Sequence, residues 1–183
     1  DIIPSYASVG HFMQKEELTS VLIKLIEKSS IPMRIVESDF AVDSSGFGTR
    51  RYSRWFLVRC GREANVRIYV KAHIITGVKT NIITAAKISD STVNDSPQFS
   101  DLVDATAKNF FIREVSADKG YLSRDNMEAV EKHGGTPFIS FKKNSTRKQH
   151  GSKIWGKMYH MSMFKREEFL AHYHKRSNVE TTF

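Results

Sequence analysis

The sequence predicts an α/β domain: a mixed β-sheet flanked by helices. Three observations carry that expectation. Three strand-like segments follow one another with short links, which suggests an antiparallel meander. The pattern then changes to helix, strand, helix, strand, helix, and such alternation supplies the crossover that a parallel pair of strands requires. At 183 residues, 40% hydrophobic and 26% charged, the chain has the size and composition of one globular domain with a sizeable core.

The elements follow in order. Leu18, Val21, Leu22, Leu25 and Ile26 recur at helical spacing, so a helix is expected over about Gln14–Lys28, with its apolar stripe in the core and Pro32 beyond its end. Phe40–Val42 reads as a buried strand that ends in Asp43 and runs into the small, flexible Ser44-Ser45-Gly46. Arg50, Arg51, Arg54 and Arg59 then lie among Tyr52, Trp55 and Phe56. That mixture suits either nucleic acid or a hairpin whose outer face snorkels. Val66–Ile75 alternates cleanly and reads as a half-buried strand; Gly77–Asn81 is a turn and Ile82–Ile88 the next strand.

Ser96-Pro97 opens a helix that runs to about Asn109. Phe111–Ala117 is an apolar strand ending in Asp118. Ser123 caps a helix that reaches about His133, where Gly134-Gly135 stop it. Pro137–Phe141 is the last short strand. From about Lys165 a final helix carries Phe169, Tyr173, Arg176 and Glu180 on one face. His172 and His174 stand two apart, face away from each other, and read as surface or DNA-facing. Residues 1–34 form an N-terminal helical segment packing on a core of residues 35–183.

A net charge of +8 and a pI near 9.6 favour a polyanionic partner, nucleic acid first. From Lys132 to Arg166 there is no acidic residue. Asn144–Gly156 has loop composition, so a basic loop at about 142–157 is expected to track DNA with Lys142, Lys143, Arg147, Lys148 and Lys153. The single cysteine, Cys60, excludes a disulfide framework and a cysteine zinc site, and fits a reducing cytoplasm. No apolar run approaches the roughly 20 residues that span a bilayer, so no membrane partner is expected. The chain starts at Asp1 and is expected to be a fragment of a longer protein.

If the Asp43 and Asp118 strands are parallel neighbours, both carboxylates emerge at one edge of the sheet. Two carboxylates that close repel unless a cation sits between them, and a hard divalent ion with oxygen ligands answers that need. Glu180 would then be the third carboxylate, with Arg176 and Tyr173 beside it to meet a phosphate.

Ala41-Val42-Asp43-Ser44-Ser45-Gly46-Phe47 has the form VDSTGF; Ser116-Ala117-Asp118-Lys119-Gly120-Tyr121 has the form ADKGY; Tyr173 through Glu180 has the spacing Y-x2-R-x3-E. Asn94-Asp95-Ser96 is a weaker match. Three such stretches in this order resemble the DDE transposases of bacterial and archaeal insertion sequences, within the RNase H-like, retroviral-integrase superfamily. The resemblance covers about Ile35 to the C-terminus. It implies an RNase H-like catalytic core whose Asp43, Asp118 and Glu180 hold two Mg2+ or Mn2+ ions. One metal activates water or a DNA 3′-hydroxyl; the other stabilises the leaving 3′ oxygen. It also implies double-stranded DNA as partner (element ends and target), Tyr173 and Arg176 near the DNA backbone, action in a prokaryotic cytoplasm at the nucleoid, and a homodimer on DNA. The other readings are a domesticated or truncated transposase fold that binds DNA without cutting it, and a nuclease of the same superfamily without strand transfer.

Overall fold

The computed structural model describes residues 3–48 and 69–183. The arginine and aromatic stretch from Arg50 to Arg59 and the start of the strand expected at 66–75 lie outside the described residues.

Five strands form one sheet: β1 Asp39–Gly48, β2 Tyr69–Gly77, β3 Ile83–Asp90, β4 Glu114–Ala117 and β5 Thr136–Ile139, in the order β3-β2-β1-β4-β5. The first three are antiparallel, while β4 lies parallel to β1 and β5 parallel to β4. This is the mixed sheet expected from the sequence, with an RNase H-like arrangement. The helices are α1 Tyr6–Met13, α2 Glu16–Ser30, α3 Phe99–Ala107, α4 Arg124–Lys132, α5 Lys153–Phe164, α6 Arg166–Tyr173 and α7 Ser177–Glu180. Among the described residues no helix is long and apolar enough to cross a membrane.

Strand alternation fixes what each face of the sheet carries. Phe40 and Val42 of β1 and Val115 and Ala117 of β4 belong to the main core with Phe99, Leu102 and Val103 of α3 and Met127 and Val130 of α4. Phe40 meets Phe110 edge to face, with ring centroids 5.6 Å apart. Burying side chains of this size contributes about 1.5–3 kcal/mol each. The alternate positions, Asp39, Ala41 and Asp43 on β1 and Glu114 and Ser116 on β4, point to the opposite face. There α6 covers β4 and β5: Phe169 packs on Phe138 at 5.7 Å and is itself buried. Local signals set the helix ends. Ser123 accepts the Asn126 N–H to start α4, and Gly134 at φ 79° follows its last turn.

The structure corrects the sequence reading in several places. The helix expected at Gln14–Lys28 is present as α2, but its stripe is not core: Val21, Leu22 and Leu25 are exposed. Ahead of it stands α1, which no periodicity announced and which Ser5 caps by accepting the Ser8 N–H. Ser44-Ser45-Gly46 is not a flexible end to the first strand. It continues β1, because its backbone pairs with His73, Ala72 and Lys71 of β2. Lys153 and Lys157 stand on a helix and not in a loop. Ile154, Trp155 and Met158 of α5 are buried, and that burial overrides a composition that reads as loop. The final helix is broken: α6 ends at Tyr173, a 3-10 turn spans His174–Arg176, and α7 follows.

Candidate functional site

The last row that β1, β4 and β5 share is Val42, Ala117 and Ile139. Asp43 and Asp118 are the next residues along two adjacent parallel strands, so their carboxylates leave the sheet at the same edge. Asp43 remains in the antiparallel ladder opposite Ile74, and its Oδ1 accepts the Ser44 N–H at 2.8 Å. Burial pushes the Asp43 carboxyl up. The charges of Asp118 and Glu180 push it the same way, against the Ser44 N–H and the Arg176 guanidinium.

The segment from α6 to α7 lies over this edge. Tyr173 donates a long hydrogen bond, 3.4 Å, to Asp118 Oδ1. Burial raises its hydroxyl pKa, with the Asp118 charge acting in the same direction. Arg176 stacks over the Tyr173 ring at 5.4 Å and feels both Asp118 and Asp43. Glu180 is 3.7 Å from Arg176 Nη1, and its side chain is 60% exposed. The stripe of Tyr173, Arg176 and Glu180 thus survives the break in the helix. Val179 is buried beneath it, and Asn178 Nδ2 donates to Val78 O at 2.7 Å, which ties α7 to the turn after β2.

Three oxygen-donor carboxylates suit a hard divalent ion. Among the described residues, however, no three His, Cys, Asp or Glu side chains stand close enough to hold one metal together. Asp43 and Asp118 are placed as neighbours; Glu180 is turned to Arg176. The donor chemistry fits, and closure of the set requires Glu180 to exchange Arg176 for the edge.

The basic segment leaves the sheet at the same edge, because β5 runs parallel to β4. Lys142, Lys143, Arg147, Lys148 and Lys153 are all exposed. The loop is pinned at two points. Arg124, at the start of α4, donates to Gln149 O and Lys148 O while stacking over Trp155 at 4.3 Å. Trp155 Nε1 donates to Thr146 O at 2.9 Å.

The comparison with protein families turns on this carboxylate edge, which lies wholly inside the matched region: residues 35–183 match the transposase DDE domain. The chain belongs to the transposase DDE-domain family. No curated protein matches it. Members of this family act on DNA and use divalent metals in transposition, and the segment from α6 to α7 is the last part of the match.

Two side chains of this transposase domain escaped the sequence reading. His172, expected at the surface, is half-buried; its Nδ1–H donates to Glu114 Oε2 at 2.6 Å and its ring stacks on Phe138 at 4.4 Å. Lys175 lies between Tyr173 and Arg176 yet turns to the other end of β1 and β4, where it reaches Asp39 and Glu114. A buried acid in each of two neighbouring strands was the available signal.

Proposed function

We propose that this chain is the catalytic core of a transposase that cleaves DNA strands and joins them to target DNA, with Asp43, Asp118 and Glu180 as the metal-holding carboxylates. What most directly supports this reading is that Asp43 and Asp118 follow the same paired row of two adjacent parallel strands. Two bound divalent ions would supply an activated hydroxyl nucleophile and a stabilised leaving oxygen. The chain's own residues do the rest. Asp43 on β1 and Asp118, directly after β4, would hold the ions. Glu180 would complete the set on leaving Arg176, and the guanidinium so freed could meet a DNA phosphate as a fork of donors. The Tyr173 hydroxyl orients the Asp118 carboxylate. Lys142, Lys143, Arg147, Lys148 and Lys153 hold the DNA backbone through charge and position the duplex.

The Arg176–Glu180 pair also supports a second reading, a domain that binds DNA and does not cut it. The test uses the full-length protein with Mg2+ or Mn2+ and a supercoiled plasmid carrying the DNA that flanks the coding sequence. The transposase reading expects nicks at the element ends and joined products, both lost in Asp43→Asn and Asp118→Asn. Tight DNA binding with no cleavage in the wild type would favour the second reading. Cleavage without joining would point to a nuclease.

A further inference from the structure

The face of β1 and β4 that carries Asp43 and Asp118 carries a second acidic pair. Asp39 and Glu114 are register partners at the start of the parallel ladder, and their side chains are only 4% and 6% exposed. Asp43 stands four positions after Asp39 and Asp118 four after Glu114, an even offset that keeps each on the same face, about 13 Å further along the chain. Two buried carboxylates side by side repel each other and lose hydration. Arg113 answers for Asp39 with a two-pronged contact, its Nε at 2.6 Å from Oδ1. His172 answers for Glu114. Among the described residues Lys175 alone reaches both acids: its Nζ donates to Asp39 Oδ2 at 3.0 Å and to Glu114 Oε1.

Lys175 and Arg176 are consecutive residues of the 3-10 turn, and each turns to a different acidic pair. In the 3-10 turn successive side chains leave the backbone about a third of a turn apart, so these neighbours can face different pairs. The ion cluster therefore fixes the height and rotation of the segment that presents Tyr173, Arg176 and Glu180.

We infer that Lys175 is a positioning residue: by bridging the buried Asp39 and Glu114 it sets Tyr173, Arg176 and Glu180 over the Asp43–Asp118 edge. The inference rests on the proposed transposase reading only for what is positioned there. The test compares full-length wild type with Lys175→Met, Lys175→Arg and the double variant Lys175→Met/Glu114→Gln. The measurements are Mn2+-dependent cleavage of the flank-bearing plasmid, thermal melting, and amide hydrogen exchange over residues 174–180. Lys175→Met is expected to lower kcat about 10- to 100-fold while KM for the plasmid changes about twofold or less, as a small misplacement does. Exchange should rise over 174–180 and not over β1 or β4. Lys175→Arg should recover most of kcat. The double variant removes a buried charge from each side, so it should melt closer to wild type yet stay slow. Recovery of kcat in step with melting would overturn the inference, because Lys175 would then serve stability alone. Unchanged exchange over 174–180 in a folded Lys175→Met would overturn it as well. If the wild type cleaves nothing but exchange rises as expected, the transposase reading fails and the positioning role stands.

Discussion

Two acidic pairs share one face of β1 and β4 and are treated in opposite ways. Asp39 and Glu114 sit at the start of the ladder, buried, with Arg113, Lys175 and His172 around them. Burial alone would raise the Asp39 carboxyl. Hydrogen bonds from Arg113 and Lys175 more than offset that and hold it at about 2. Asp43 and Asp118 sit at the far end, where among the described residues the Arg176 guanidinium is set against Asp43, Asp118 and Glu180, and burial raises the Asp43 carboxyl. A carboxylate whose charge is fully answered acts as a fastener. Asp43 is raised chiefly by burial; under the proposed function it is poised, with Asp118, for a cation, and a perturbed acid is a candidate functional group for that reason.

The largest expected effect lies at the poised pair. Asp43→Asn or Asp118→Asn should reduce plasmid cleavage by about a thousandfold or more, as loss of one member of a catalytic set does. Asp43→Asn should also raise the melting temperature, because the substitution removes a charge that burial disfavours. A drop in melting would erase the proposed difference between the pairs. Next in size is the fastener: Asp39→Asn should destabilise the domain by about 2 kcal/mol in urea unfolding, since it weakens the charge-assisted hydrogen bonds that a buried carboxylate accepts from Arg113 and Lys175.

Asp39 and Asp43 should also separate with pH. Asp39 has a folded value of about 2, below the ordinary 3.8. Its contribution is present above about pH 4 and is lost as pH falls towards 2. Asp43 has a raised folded value, so its contribution is present below 3.8 and lost as pH rises through that value. Melting curves from pH 5 to 2 should therefore fall more steeply in wild type than in Asp39→Asn. Asp43→Asn should gain most over wild type at neutral pH. The smallest effect belongs to Arg113→Ala, a slight loss of stability in urea unfolding, because the Arg113 side chain is 58% exposed and Lys175 still holds Asp39.

The strand order and the carboxylate edge were legible because they rest on local patterns. Phe40–Val42 and Phe111–Ala117 each announce an apolar strand running into an acid, and the helix between them permits a parallel pair. What was not legible rests on contacts far apart in the chain. Nothing near Ser44-Ser45-Gly46 says that β2 will extend it. The turn from Leu18 to Ile26 looks like core, yet its outward residues remain exposed, because periodicity shows that a helix has an apolar side and not what meets it. The first turn of the helix at Lys153–Phe164 reads as loop until the burial of Trp155 and Met158 is known. His172 read as surface or DNA-facing and Lys175 drew no reading, because Asp39 and Glu114, their partners, precede them by much of the chain.

The pairing of β1 on both sides also limits how this chain can vary in length. A strand that slips by one residue turns every following side chain to the opposite face. Insertion of a single residue between Asp39 and Asp43 would thus carry either the fastener or the poised acid into the layer occupied by Phe40 and Phe110. After Asp118 the chain enters a 3-10 turn, and after Ile139 a surface loop, where extra residues disturb no ladder. Length change is tolerable after Asp118 and after Ile139 and forbidden between the two acidic pairs, so the Asp39–Asp43 interval works as a fixed ruler for the acidic face.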